Sequence, residues 1–590
     1  MTVTAQEREQ QIKQAEEVLF SGPQQLGFAN GLFFGQFNAA QIDPYPELKP
    51  EERDAVAKAV SDVRRFAQEK IHAATIDRNA EIPEDVIRGL GELGVLGMTV
   101  PATYGGRGFS QLGYCRVMEV IGGHCAATAV FVNAHHSIGV RALLIYGTEE
   151  QKRRWVPDLA RGHQLAAFAL TEPEAGSDAA NVQTTAMPTA DGKTYILNGQ
   201  KRYITNGAIA GVLTVMARTQ VPGSSETKVS AFIVTPDMPG FEVLEARMPK
   251  VGIRGTATGR LAFHEMPVPS ENLLGQRGKG LQIALNTLNY GRITFGASCT
   301  GVAKVCLKAA VTHAKKRVQF KQPLSEFELV KKKIAYMAAH AFAMEATVNE
   351  CAALIDRGSD IKLETAMLKV WSTDALWTIV NDTIQIYGGQ AFFCNEPYER
   401  MMRDARLNMI GEGANDVLRV FIAMVGMKPV IDQLLGLKTA LAAPFKELGT
   451  LLSFGAKRVG AQLGLTTPEV LVRTAELRPF AQELGKRVRE FGLAVQTALL
   501  RYREAIVDRQ YVLERISDAA CELYASGCTL SRLDHMLAQG NGNAVERSRD
   551  AVSGKYFLRL ANRRIRQSLA ALTDNDDEMT TAAANAALGQ

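Results

Sequence analysis

The sequence predicts a mainly α-helical protein with one inserted antiparallel β domain and a further helical domain at its C-terminal end. Apolar residues recur three and four positions apart over 50–147 and again over 280–427, which is the spacing of amphipathic helices. Over 165–268 the pattern changes to alternation with many β-branched residues, which is typical of strands. The chain is therefore expected to run in an α, β, α order, followed by more helices.

We expect six segments along the chain. They are an N-terminal helical domain with an apolar arm (1–164), a β domain (165–275), a helical domain (276–430), a linker (431–467), a C-terminal helical domain (468–570) and a disordered tail (571–590). The tail is acidic and then rich in alanine, a composition that favours a frayed end.

The composition is that of a soluble globular protein and excludes the fibrous and disordered classes. Of the 590 residues, 46% are hydrophobic and 22% are charged. The net charge of +5 is spread over many residues, so we expect no nucleic acid partner. The eight cysteines stand singly or far apart, which favours reduced core thiols over a disulfide or zinc framework.

The start of the chain has no apolar core like that of a signal peptide and too much glutamate for a transit sequence. No uncharged apolar run is long enough to cross a bilayer. These observations fit an enzyme of the cytoplasm and equally one of an organelle matrix.

Two features of the N-terminal domain have structural explanations. The arm over 26–42 gathers four phenylalanines among glycines, and we expect it to pack on its own domain rather than on a membrane. The adjacent His135 and His136 would point about 100° apart on a helix, so packing is favoured over metal binding.

The stretch from Phe168 to Asp178, FALTEPEAGSD, is typical of a strand that ends in a tight polar loop. Such a loop offers hydroxyl and main-chain N–H groups to a large polar cofactor, and Gly176 lets the main chain approach it closely. The three carboxylates of the turn argue against a bare phosphate as the sole occupant. A surface turn with a helix N-cap at Ser177 is the alternative interpretation.

Further motifs follow along the chain. A hairpin-type Asn-Gly opens NGQKRYITNG at 198–207, and the helical region carries LNYGR at 288–292, KKRVQF at 315–320, QIYGG at 385–389 and MIGEGANDVLR at 409–419. In the last motif Glu412 stands between two glycines, where no neighbouring side chain obstructs it. A helix start is the other explanation for a lone glutamate at this position.

Together, TEPEAGSD and NGQKRYITNG resemble the flavin-binding signature of the acyl-CoA dehydrogenases. The resemblance extends from about Ile42 to Met427, and the additional C-terminal region is similar to that of the very-long-chain subfamily. It implies the α, β, α fold of the family, FAD as cofactor and oxidation of a long-chain acyl-CoA to trans-2-enoyl-CoA in fatty acid β-oxidation. Glu412 would abstract the α-proton, and N5 of FAD would accept the β-hydride.

The resemblance also assigns roles to individual residues. Thr171, Ser177 and Thr205 would hydrogen-bond FAD, Tyr203 would lie against its ring, and Arg317 would reach its diphosphate. The implied FAD-binding residues are Phe168, Leu170, Thr171, Gly176, Ser177, Tyr203, Ile204, Thr205, Arg317, Phe320, Gln385, Gly388, Gly389, Ala414 and Asp416. The implied substrate-binding residues are Ser177, Asn289, Arg292 and Gly413.

Partners follow from the same resemblance. The family uses the segment with Arg317 on the flavin of the other subunit, which implies a homodimer, and electrons would leave through electron-transfer flavoprotein. The linker over 431–467 interleaves lysines with leucines, so peripheral contact with a membrane and packing on the enzyme both fit it. No metal is implied.

Three positions depart from the family pattern. Gly411 stands where an aromatic residue is common, Ala414 where a threonine is usual, and Ala391 where a GGxG-type motif has its last glycine. The changes leave Glu412 in place and bear on substrate shape and flavin affinity. Two other functions stay open, a flavoprotein that binds nucleic acid and an assembly factor that retains the fold. The mixed charge argues against the first, and the intact Glu412 argues against the second.

Overall fold

The structure is a computed structural model that describes residues 27–221, 226–442, 466–540 and 543–589. Residues 443–465 lie outside this range, so the membrane-surface hypothesis for the linker falls mostly on residues that the structure does not describe. The fold is a helical N-terminal part, a β-sheet, a second helical part and a helical C-terminal part. The predicted fold class is confirmed, whereas the limits of the six segments stay a prediction.

The N-terminal part is helical from the arm to the start of the sheet. A π-helical segment, Asn133–Val140, interrupts the α-helices and continues directly from α6 into α7. Thr148 and Gln151 form a capping box that starts α8. The helices are α1 (Phe28–Phe33), α2 (Pro50–Lys70), α3 (Ala73–Asn79), α4 (Glu84–Glu92), α5 (Gln111–His124), α6 (Ala126–Val132), α7 (Arg141–Tyr146) and α8 (Glu149–Arg161).

The two adjacent histidines of the π segment pack inside the protein. The His135 ring accepts a hydrogen bond from Ala166 N at 2.9 Å through Nδ1, and its Nε2 lies 3.1 Å from the Leu159 carbonyl. The His136 ring lies 3.1 Å from the Leu96 carbonyl through Nδ1. Both side chains are fully buried, and burial lowers the pKa of His135 to about 4. The packing interpretation is therefore confirmed.

The predicted β domain is an eight-stranded sheet in the order β6-β7-β3-β2-β4-β5-β8, with β1 paired to β4. Most neighbours are antiparallel, and the β1–β4 and β2–β4 pairs are parallel. The strands are β1 (Ala166–Ala169), β2 (Thr185–Pro188), β3 (Thr194–Thr205), β4 (Val212–Gln220), β5 (Thr227–Val234), β6 (Phe241–Glu245), β7 (Thr258–Pro269) and β8 (Leu273–Leu274).

Long helices form the rest of the chain, with a short ribbon of β9 (Val318–Gln319) and β10 (Gln322–Pro323) after the first of them. No helix in the described ranges combines the length and the apolar character needed to cross a membrane. The helices are α9 (Gly280–Lys316), α10 (Glu328–Asp356), α11 (Lys362–Tyr387), α12 (Tyr398–Asn408), α13 (Asn415–Ala442), α14 (Arg478–Tyr502), α15 (Gln510–Gln539), α16 (Ala544–Ala570) and α17 (Asp577–Leu588).

The apolar arm packs on the second helical part and the C-terminal helices, not on the N-terminal domain with which the sequence groups it. The Phe28 and Phe33 side chains are fully buried, and the ring centroids of Phe33 and Phe491 in α14 are 5.1 Å apart. The start of the arm is fixed to α11, because Ala29 N donates a 3.1 Å hydrogen bond to Glu364. One continuous core therefore joins the arm, α9–α13 and α14–α16.

The prediction of a disordered tail over 571–590 is wrong for most of its length. Residues Asp577–Leu588 form α17, with two acidic residues in the first turn and many alanines. Acidic groups at a helix N-terminus and alanine in a helix are both favourable. Arg515 in α15 holds the helix start through two bonds to Asp577, at 2.9 and 2.5 Å.

Candidate active site

Glu412 lies in the short loop between α12 and α13 and adopts a left-handed backbone conformation. Its φ is +55° and that of Gly413 is +101°, values that L side chains rarely adopt. The turn directs the carboxyl of Glu412 against Gly291 in α9. A Cβ placed on Gly291 would lie 2.0 Å from Oε2, so the glycine provides the space that the carboxyl occupies.

The carboxyl of Glu412 is buried and incompletely hydrogen-bonded. Asn133 Nδ2 donates a 2.6 Å hydrogen bond to Oε1. Oε2 is buried and has no hydrogen-bond partner within the described part of the chain. Burial raises the pKa of Glu412 to about 7, while Arg292, Lys369 and Asn133 oppose that rise. The group can therefore be ionised near neutral pH and still accept a proton.

Two buried cations hold the main chain around Glu412. Arg292 donates from Nε to the Glu412 carbonyl at 3.3 Å and from Nη1 to Asn289 Oδ1 at 3.0 Å. Lys369 donates from Nζ to the Gly413 carbonyl at 2.7 Å and to Asn415 Oδ1 at 2.8 Å. Burial lowers the pKa of Arg292 to about 10 and that of Lys369 to about 7. Both cations therefore hold the loop in place and favour the ionised form of Glu412.

Sequence reasoning missed Lys369 and Gly291. A single lysine inside the apolar helix segment MLKVW is a signal that could have found the first, because a buried lysine needs partners. The glycine of LNYGR gave no signal of its own, since its role depends on a residue 121 positions later in the chain.

A Cβ at Gly411 would have Leu407 O as its nearest neighbour at 3.7 Å, so this departure from the family leaves space beside Glu412.

A hydrogen-bonded chain leads from this loop to the C-terminal helices. Asn415 Nδ2 donates to Asp374 Oδ1 at 2.8 Å. Arg419, one turn further along α13, donates to Asp374 Oδ2 at 2.6 Å and to Asp518 Oδ1 in α15 at 2.9 Å. Asp518 in α15 is therefore connected through Arg419 and Asp374 to Asn415, which lies in the first turn of α13.

The polar loop after β1 and the strand β3 are joined by a buried ion pair. Lys201 Nζ donates to Glu172 Oε1 at 2.6 Å and to the Leu170 carbonyl at 3.1 Å, and both charged side chains are almost completely buried. Glu172 also accepts hydrogen bonds from the main-chain N–H groups of Gln183 and Thr184, at 2.5 and 3.1 Å. Glu172 therefore points inward beneath the loop, away from any ligand in front of it.

The same contacts bring the two predicted flavin motifs together. Arg202 N donates a 2.9 Å hydrogen bond to the Thr171 carbonyl. The β3–β7 ladder shifts register between Arg202 and Ile204, which leaves Tyr203 as the extra residue with a φ of +61°. Its ring is 56% exposed, whereas Ile204 is buried. The bulge thus presents an aromatic face beside the loop.

These surfaces suit the cofactor that the resemblance implies. Gly176 and Ser177 are exposed, and a Cβ on Gly176 would meet nothing within 4 Å. Thr171 and Thr205 are partly exposed and carry hydroxyl groups, while Phe168 is buried and Leu170 is partly buried at the strand end. An exposed aromatic ring beside hydroxyl groups and open main chain fits a planar ring system with polar edges.

The second group of predicted flavin residues lies elsewhere in the subunit. Arg317 follows the end of α9, and from Gly291 to Arg317 the helix rises by roughly 39 Å at about 1.5 Å per residue. Tyr387 stacks on His313 with ring centroids 4.0 Å apart, which places the end of α11 at the same end of α9. The exposed residues there include Arg317, Phe320, Gln385, Gly388 and Gly389.

The remaining predicted residues lie near Glu412. Asn289 is buried, and its Oδ1 accepts hydrogen bonds from Arg292 and, at 3.3 Å, from Thr365 Oγ1. Ala414 and Gly413 are partly exposed in the loop, and Asp416 is exposed in the first turn of α13. The structure thus places the predicted site residues at three places: the loop after β1 with the neighbouring strand β3, the surroundings of Glu412, and the far end of α9.

Family models match most of the chain. The acyl-CoA dehydrogenase N-terminal, middle and C-terminal domains match residues 51–163, 167–266 and 278–427. The ACAD9/ACADV C-terminal domain matches residues 475–587.

Named relatives cover nearly the whole chain. A mitochondrial very long-chain specific acyl-CoA dehydrogenase of Rattus norvegicus is 35% identical over 568 residues, which are 93% of this chain and 85% of the rat protein. A probable acyl-CoA dehydrogenase FadE10 of Mycobacterium tuberculosis is 34% identical over 598 residues, 97% of this chain and 90% of its own length.

Solved structures show the same architecture. An acyl-CoA dehydrogenase from Bacillus anthracis, complexed with FAD, superposes with a TM-score of 0.78 at 27% identity and covers 94% of each chain. The butyryl-CoA dehydrogenase of Megasphaera elsdenii has a TM-score of 0.60 at 33% identity and matches 97% of its own length to 62% of this chain. This chain therefore carries segments that have no counterpart in the shorter enzyme.

Proposed function

The chain belongs to the acyl-CoA dehydrogenase family, and from this membership we propose how its own residues carry out the reaction. The protein is an FAD-dependent oxidoreductase that dehydrogenates acyl-CoA in fatty acid oxidation. Glu412 is the base, long-chain acyl-CoA is the substrate and trans-2-enoyl-CoA is the product. The supporting observation is a buried carboxyl with one oxygen that lacks a partner and a pKa raised to about 7.

Glu412 removes a proton from the α-carbon of the thioester. Its Oε2 can receive this proton because it has no hydrogen-bond partner among the described residues. A carboxylate with an ordinary pKa of 4.5 would be a weak base for a carbon acid, and burial strengthens it. Bound FAD supplies the acceptor for the hydride that leaves the β-carbon.

The cations beside Glu412 limit how far its pKa rises. Burial alone would keep the carboxyl protonated at neutral pH, and the positive charges of Arg292 and Lys369 favour its ionised form. Their hydrogen bonds to the carbonyls of Glu412 and Gly413 also hold the turn in its left-handed conformation. The reacting oxygen is thus held in one place, which is a large part of the advantage of an enzyme over a free base.

The flavin site is assembled from two subunits in this proposal. Thr171, Ser177 and Thr205 hydrogen-bond the flavin, and Tyr203 lies against its ring. Gly291 lies against Glu412, and Arg317 is roughly 39 Å further along α9, so a flavin whose ring lies near Glu412 is too far from Arg317 of the same chain; this supports a homodimer in which Arg317 serves the partner's flavin. Electron-transfer flavoprotein is the proposed electron acceptor.

The location of the protein in the cell and the acyl chain length of its substrate are also proposals. The relatives from mammals are named as mitochondrial and very-long-chain specific, which supports an organelle matrix or, in a bacterium, the cytoplasm, with long acyl chains as substrates. Peripheral contact with a membrane would involve the linker. The family membership and the buried carboxyl of Glu412 do not favour the nucleic-acid-binding and assembly-factor alternatives.

The test is anaerobic bleaching of the flavin absorbance with acyl-CoAs of graded length. Glu412→Gln should retain FAD and its yellow colour and lose bleaching with every thioester. Glu364→Gln is the matched control, because burial also raises the pKa of Glu364 to about 7 and it lies elsewhere, bonded to Ala29 N. Unimpaired bleaching by Glu412→Gln would refute the assignment of the base.

A further inference from the structure

Asn133 is the first residue of the π-helical segment and lies directly against Glu412. Its side chain is 4% exposed, and its Nδ2 lies 2.6 Å from Glu412 Oε1. π-Helical turns inside α-helices are rare and are frequently found at functional sites. The contact joins residues 279 positions apart in the chain, so it depends on tertiary packing.

We propose that Asn133 is a positioning residue for Glu412. Its amide holds the ionised carboxylate through Oε1 and leaves Oε2 free to receive the proton from the substrate. The inference rests on the proposed role of Glu412 as the base, and it adds a residue that positions the carboxylate of that base.

The charged groups around Glu412 support this assignment. Arg292 in α9 donates to the Glu412 carbonyl and to Asn289, and Lys369 in α11 donates to the Gly413 carbonyl and to Asn415. Both cations act on the carboxylate through space, while their N–H groups serve main-chain and amide oxygens. Within the described ranges, the hydrogen bond that the structure gives to the carboxylate itself comes from the neutral amide of Asn133.

The remaining titratable group that faces the carboxyl is Tyr114 in α5. Its hydroxyl is fully buried and lies 3.1 Å from Ser137 Oγ, and burial holds its pKa far above its usual value. Tyr114 therefore stays neutral over the pH range in which Glu412 titrates. Lys369 has a pKa of about 7 as well, so a pH profile of activity reports both Glu412 and Lys369, whereas a signal of the carboxyl group itself reports Glu412.

Removal of the amide should shift the ionisation of Glu412 to higher pH. A hydrogen bond donated to a carboxylate favours its charged form, so its loss raises the pKa. Hydrogen bonds to charged groups are worth enough to shift a pKa by about one unit. Asn133→Leu has a similar volume and no donor, and Asn133→Asp removes the donor and adds a negative charge, so the shift should be larger for aspartate.

The experiment makes two measurements on the FAD-loaded enzyme, and the second, which belongs to the carboxyl of Glu412, separates its ionisation from that of Lys369. The first is the pH profile of flavin bleaching by an acyl-CoA. The second is the infrared carbonyl band of the protonated carboxyl without substrate, assigned by its loss in Glu412→Gln. Both midpoints should move up by about one pH unit in Asn133→Leu. Asn133→Ala replaces it if the leucine variant does not fold.

Asn272→Leu is the matched control. Asn272 is also a buried asparagine that donates one hydrogen bond, to the Ile233 carbonyl at 2.8 Å, and its amide oxygen is likewise without a partner in the described residues. It lies in the β domain, so neither midpoint should move. Unchanged midpoints in the Asn133 variants would overturn the inference. An absence of bleaching in the wild type with a normal infrared titration would instead contradict the proposed function.

Discussion

The substitution Gly291→Ala tests whether the position of the Glu412 carboxyl decides activity. A Cβ at this position would lie 2.0 Å from Oε2, 2.6 Å from Cδ and 2.7 Å from Oε1. Ordinary van der Waals contact begins at 3.4 Å, so the carboxyl has to move by more than 1 Å. Alanine is favoured over glycine inside a helix by about 1 kcal/mol, so α9 itself should not be weakened by its own propensity.

A displacement of about 1 Å costs roughly a hundredfold in rate, which corresponds to about 3 kcal/mol in the activation free energy. The assay is the initial rate of anaerobic flavin bleaching with a long-chain acyl-CoA, measured with the FAD content and the melting temperature. Gly291→Ala should retain FAD and melt near the wild type while it bleaches about a hundredfold more slowly.

Gly296→Ala is the control on the same helix. Its Cβ would lie 2.9 Å from Leu368 Cγ, so the buried Leu368 side chain has to shift by about half an ångström, but no atom of Glu412 is among the three nearest to this Cβ. This variant should bleach at nearly the wild-type rate. If Gly291→Ala also bleached at the wild-type rate, the reasoning that the glycine sets the position of the base would be refuted.

Three further predictions concern charge. Lys201→Met leaves Glu172 buried without its cation, so it should lower the free energy of unfolding by about 3–5 kcal/mol and release FAD, and the added Glu172→Gln should recover part of the loss in thermal melting. Because the pKa of Glu412 is raised from 4.5 to about 7, the bleaching rate should rise with pH through about 7 and then level off. The folded state also binds this proton more tightly than the unfolded state, so the stability that this group contributes falls as the pH rises from 4.5 to about 7. Above pH 7, Glu412→Gln should therefore melt at a higher temperature than the wild type. Asp518→Asn should cost at most about 1 kcal/mol because its side chain is 40% exposed, whereas Arg419→Met should cost more in melting and bleaching because it also takes from Asp374 the cation that Arg419 provides.

The sequence predicted the order of helices and strands because these follow from the local spacing of apolar residues. It also placed the loop after β1 beside the strand with Tyr203, since both motifs resemble one flavin signature. It failed for α17, because alanine-rich composition resembles disorder, and the contact that holds this helix comes from Arg515, 62 positions earlier. It also could not tell that Glu172 points inward, because the orientation depends on its pairing with Lys201.

By itself the sequence determined most of the helices and strands, and it predicted which motifs hold the cofactor and the base. Only the tertiary structure decided three features of the surroundings of Glu412: the space at Gly291, the amide of Asn133 and the cation Lys369. With Glu412 itself, these residues come from four separate segments, and neither periodicity nor motif spacing links the four segments. Their effect on the carboxyl arises from burial and from distances of a few ångströms, which exist only once the whole chain has packed.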